Sequence, residues 1–80
     1  MEPGELRDAV ARNIRASARR KRLTLNALAD FSGVSRSGLY AVLATTTSPT
    51  IDWIAKVASA LGVEPAQLLT PRPAPKRESI

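Results

Sequence analysis

Between Thr24 and Leu43 runs the stretch TLNALADFSGVSRSGLYAVL, which spells two short helices and the tight turn between them. Thr24 can cap the first helix, its hydroxyl accepting from an amide of the first turn. Leu25, Leu28, Ala29 and Phe31 keep helical spacing and predict its apolar face. Gly33 stands where the helix should end in a left-handed residue, a conformation glycine adopts without steric cost. Val34 is the one apolar residue of the turn, so it is expected to point inward. Ser35 is a second cap candidate, and Leu39, Val42 and Leu43 give the second helix a single apolar face. Arg36, Ser37, Tyr40 and Ala41 are left on its other side. Ala29 is small where two crossing helices must approach closely.

The flanking segments extend the pattern. Leu6, Val10, Ile14 and Ala18 recur every four residues and predict a helix from Glu5 to about Arg20 or Lys21, preceded by a flexible leader, residues 1–4. Glu5 and Asp8 near its start, and Arg19, Arg20, Lys21 and Arg22 at its end, suit the helix dipole. Thr45, Thr46, Thr47 and Ser48 form a hydroxyl-rich loop closed by Pro49. Thr50 can cap a fourth helix whose apolar face is Ile51, Ile54, Val57, Ala58 and Leu61, ended by Gly62 with Val63 folding back. Pro65 suits the first turn of a short fifth helix that carries Leu68 and Leu69. Residues 70–80, with three alternating prolines and then Lys-Arg-Glu-Ser-Ile, read as a disordered basic tail. The expected fold is all-α, with no repeat and no strand-like alternation.

Composition narrows the function. Eighty residues make one small domain, which buries only about 60% of its unfolded surface and gains from a partner. Without cysteine or histidine, disulfides, thiolate chemistry and imidazole sites are excluded. The carboxylates Asp8, Asp30, Asp52 and Glu64 are scattered one per helix or cap. No nucleophile elbow, phosphate loop or zinc pattern is present, so neither catalysis nor a metal or cofactor is expected. A net charge of +5 and a pI near 10.8 fit a polyanionic partner, although charge alone fits a merely basic protein equally well. Seven of the 12 basic residues fall between Arg7 and Arg22. They make either a solvated face or a phosphate-binding end. No apolar run suggests a signal peptide or a membrane span, and a cytoplasmic location is expected.

Leu23, Thr24, Leu28, Ala29, Gly33, Val34, Ser35 and Leu39 resemble the Cro/repressor-type helix-turn-helix, the XRE family. The family pattern is L-[ST]-x-x-x-L-A-x-x-x-G-V-S-x-x-x-[IVL]. Similarity continues through Pro49, Ile51, Ile54, Ala58, Leu61, Gly62, Val63 and Leu68-Leu69, so it spans roughly residues 6–69. The resemblance implies a five-helix, lambda-repressor-like DNA-binding domain over residues 5–69, with the helix-turn-helix core at 24–44. Residues 35–44 would then lie in the major groove as the recognition helix.

On that reading Arg36, Ser37, Tyr40 and Ala41 are the base contacts. Arg36 comes first, because its guanidinium fork matches the two major-groove acceptors of guanine. Arg19, Arg20, Lys21, Arg22, Thr24, Asn26, Ser35, Thr45, Thr46 and Thr47 are the phosphate contacts. Two positions depart from the family. Leu25 stands where many members carry a glutamine that touches phosphate and props the first recognition residue, with Asn26 as a nearby substitute. Leu43 stands where many carry glutamate. Gly38 costs its helix about 1 kcal/mol against alanine, which calls for close approach to DNA or to another helix. The resemblance further implies a repressor, acting as a homodimer on a pseudo-palindromic operator in double-stranded DNA. Trp53 is a candidate dimer contact, with core packing as its other role. The competing function is an antitoxin or protein-interaction adaptor on the same fold, with the tail from Pro71 to Ile80 as its contact with a protein partner.

Overall fold

A computed structural model describes residues 3–71, and its regular structure there is five helices: α1 (Pro3–Lys21), α2 (Leu25–Ser32), α3 (Arg36–Leu43), α4 (Ile51–Leu61) and α5 (Pro65–Leu69). The all-α expectation holds. Most of the expected tail, 72–80, and Met1 and Glu2 of the expected leader lie outside the described residues. Pro3 and Gly4 are helical, so α1 begins two residues before Glu5. A proline tolerates that position, because first-turn amides have no intrahelical acceptor.

Each boundary has a local cause. The hydroxyls of Thr24, Ser35 and Thr50 accept from the amides of Ala27, Gly38 and Trp53 at 3.1, 3.0 and 3.0 Å. At the other ends four helices close with a left-handed residue. These are Arg22, Gly33, Thr45 and Gly62, at φ +58°, +77°, +59° and +72°. The next amide in each case reaches back five residues. Leu23 donates to Ala18, Val34 to Ala29, Thr46 to Ala41 and Val63 to Ala58, at 2.9 to 3.1 Å. These bonds satisfy carbonyls that the helix leaves orphaned.

Val10, Ile14, Leu28, Leu39, Val57, Leu61 and Leu68 are fully buried, and Ala18, Ala29 and Ala58 let backbones approach between them. Val34 and Trp53 pack against this core while remaining partly exposed, so most of Trp53 is spent on core packing. Four residues of the expected apolar faces are exposed, Leu6 and Leu69 only just so, at 37% and 38%. Phe31 is 71% exposed because the buried face of α2 runs through Leu28, Ala29 and Ser32. Ser32 joins the interior by donating its hydroxyl to the Leu28 carbonyl at 2.6 Å. Ile51 is 84% exposed, since it lies at the first position of α4 and the buried face of that helix runs through Ile54, Val57, Ala58 and Leu61.

The five-residue α5 is too short to hold itself. The Asn13 side-chain amide on α1 donates to the carbonyls of Gln67, Leu68 and Thr70 at 3.2, 3.0 and 2.7 Å. Arg12 donates to the Pro71 carbonyl at 2.8 Å. Thus α1 supplies the acceptor-satisfying groups that a remote helix end lacks. No described helix is long and apolar enough to cross a membrane.

Candidate nucleic-acid interface

The buried side of α3 is Leu39, Val42 and Leu43, so its position is dictated by the core. Arg36, Ser37 and Tyr40 are exposed on the opposite flank, and Ala41 is half-buried. Arg36 and Tyr40 are one turn apart and share a face.

Both long side chains are held by α2. The Arg36 Nε donates to Asp30 Oδ1 at 3.3 Å and Nη2 to Oδ2 at 2.8 Å, a two-pronged pair on the surface with both side chains more than half exposed. The hydrogen bond from Arg36 holds the Asp30 carboxyl below the ordinary aspartate value, and the same bond raises Arg36. The Tyr40 hydroxyl donates to Asn26 Oδ1 at 2.9 Å. Asn26 therefore props Tyr40, not the first recognition residue, which is instead held by Asp30. Asp30 as the partner of Arg36 was missed by sequence reasoning. Nothing in the local pattern marks Asp30 as its partner, because the two lie on different helices.

Gly38 has a reason within its own helix. A Cβ there would lie 2.8 Å from Ser35 Oγ, so the capping hydroxyl would have to move. The constraint is internal to the cap, and no neighbouring helix comes within 4 Å of that position.

The expected phosphate contacts divide by direction. Arg15 and Arg19 on α1 share one shallow cleft with Thr45 and another with Thr24 and Leu25. They therefore stand between the start of α2 and the loop that follows α3. The start of α2 carries first-turn amides and the positive end of the helix dipole, a natural anion site. Arg15 was missed by sequence reasoning, and its i, i+4 spacing to Arg19 was the available signal. Arg20 turns the other way, donating to Ser17 Oγ at 2.9 Å and lining a cleft with Val63 and Gln67. The Lys21 ammonium lies beside Gly62 at the end of α4. Arg22 is exposed at the left-handed end of α1.

The loop hydroxyls are partly committed. Thr45 donates to the Ala44 carbonyl at 2.6 Å and Thr46 to the Ala41 carbonyl at 3.1 Å. Ser48 accepts from Arg7. Thr47 is exposed and is the threonine of the loop whose hydroxyl makes no bond to protein among the described residues. Thr24 and Ser35 have capped their helices as acceptors, which leaves each hydroxyl proton available.

A helix-turn-helix domain model matches residues 9–70. The chain belongs to that family. Two solved structures agree in fold. A hypothetical transcription factor from Neisseria is 35% identical with a TM-score of 0.79, over 82% of this chain and 76% of that one. An HTH_3 family transcriptional regulator from Vibrio cholerae is 26% identical with a TM-score of 0.76, over 81% of this chain and 36% of that one. No curated protein matches significantly. The resemblance to Cro/repressor-type proteins thus holds in sequence and in fold.

Proposed function

We propose that this helix-turn-helix protein is a sequence-specific regulator of transcription that reads double-stranded DNA with α3 and represses by occupying its operator. The observation that carries this reading is the division of α3. One flank is locked into the core, and the other presents Arg36, Ser37 and Tyr40 to solvent. A helix so mounted fits the major groove, where a bidentate arginine–guanine contact discriminates by about 1–3 kcal/mol. Arg15 and Arg19, Thr24 and the loop hydroxyls frame it on the sides where a duplex backbone would run. Fold family and solved relatives support DNA-binding regulation.

The test is Arg36→Ala in a gel-shift assay against sequences selected from a random DNA pool. Specific binding should fall roughly 5- to 150-fold, the equivalent of about 1–3 kcal/mol, with helix content by circular dichroism unchanged. Undiminished specific binding by this variant rejects the reading.

A single domain offers few base contacts, so a homodimer on a pseudo-palindrome is the proposed active form. Trp53 is largely engaged with the core. More apolar surface is exposed at Leu6, Ile51 and Leu69, around a groove of about 380 Å³. Ser48 and Pro49 of the loop after α3 form part of its wall. A second copy seated there would cover this apolar surface.

A further inference from the structure

We propose that Asp30 is a positioning residue for base recognition: its carboxylate grips one edge of the Arg36 guanidinium and aims the other edge at guanine. The inference rests on the DNA-reading function proposed above, and deepens it.

An arginine has five N–H donors in a fixed plane. Asp30 engages the side edge, taking Nε and one donor of Nη2. Both donors of Nη1 and the second donor of Nη2 are left, and one from each of these nitrogens points off the outer end of the fork. That end can make the parallel pair of bonds that guanine O6 and N7 accept. A carboxylate bound to the same end would instead have blocked it. The grip also removes much of the rotamer freedom that a long exposed arginine would lose on binding.

The setting favours this arrangement over an ordinary surface ion pair. Asp30 stands on α2 and Arg36 opens α3, so the pair spans the turn whose geometry the Gly33 and Ser35 caps fix. A second bond, Tyr40 to Asn26, links the same two helices one turn further along. As stability, such an exposed pair counts for little. Its worth would appear when DNA excludes water from it, since a lower local dielectric strengthens the paired charges.

The opposite role is competition, in which Asp30 merely withholds Arg36 from DNA. The two roles differ in sign. Wild type, Asp30→Ala and Asp30→Asn are compared on the pool-selected site, on that site with the critical G·C pair replaced, and on unrelated DNA. Thermal melting accompanies each variant. The positioning role requires Asp30→Ala to lose about tenfold in discrimination at that base pair. Its binding to unrelated DNA should meanwhile strengthen, because a negative charge has left the interface. Asp30→Asn, which keeps one acceptor, should retain part of the discrimination. Tighter binding to the selected site with discrimination intact would establish competition and overturn the inference. A wild-type protein that enriches no sequence overturns this inference and the DNA-reading function together. Enrichment with equal discrimination by all three proteins overturns the positioning role alone.

Discussion

Thr45 lies at φ +59°, a left-handed conformation in which a β-branched side chain is strained. Its amide donates to Val42 and its hydroxyl to its neighbour's carbonyl, so the close of α3 holds it there. For an L-residue this conformation costs roughly 1–2 kcal/mol, which glycine avoids. Thr45→Gly should therefore raise the melting temperature by roughly 4–8 °C per kcal/mol recovered, as scanning calorimetry can read. An unchanged or lowered melting point would show that the threonine contributes packing that offsets its strain. Titration offers a second check on single residues. Asp30 has a lowered pKa, so its pairing with Arg36 adds stability above the unfolded value and loses it as pH falls through the lowered folded one. By NMR its carboxyl carbon should titrate below an ordinary aspartate, and Arg36→Ala should return it to the ordinary range.

At the scale of elements, caps define the lengths and the core defines the faces. Ser35→Ala leaves the Gly38 amide without its acceptor and should cost about 1 kcal/mol. Chemical denaturation should show this as a lower midpoint with an unchanged slope. Asn13→Ala removes three bonds to the end of α5. Hydrogen exchange should then quicken in α5 while α2 and α3 keep their protection. Uniform quickening would mean that α5 is integral to global stability. Caps and glycine ends were legible in the chain, because each involves neighbours three to five residues apart. The exposure of Phe31 and Ile51 was not. Helical spacing places a residue near an apolar stripe, but only the packing partner decides where the stripe's edge falls.

For the whole molecule, the basic side chains of α1 diverge. Arg15 and Arg19 flank the helix-turn-helix, whereas Arg20 and Lys21 face the α4–α5 end. Replacing Arg15 and Arg19 together should weaken binding to all DNA sequences alike and lower the salt dependence by roughly two phosphate contacts. The same change at Arg20 and Lys21 should have a much smaller effect. Assembly is checked by sedimentation. Ile51→Glu should yield a monomer, whereas Trp53→Ala, if folded, should remain dimeric. The reverse outcome would move the interface to Trp53.

The amino-acid order by itself determined the helix–turn–helix pattern, its caps, its left-handed glycines and the apolar flank of α3. All of these follow from hydrogen bonds and steric limits within one or two helical turns. The tertiary structure decided which arginines gather beside Thr24 and Thr45, that Asp30 meets Arg36, and that Asn13 secures α5. Those contacts join different helices, so they depend on how the helices cross, and that is set by the collective packing of Ile14, Leu28, Leu39 and Leu61.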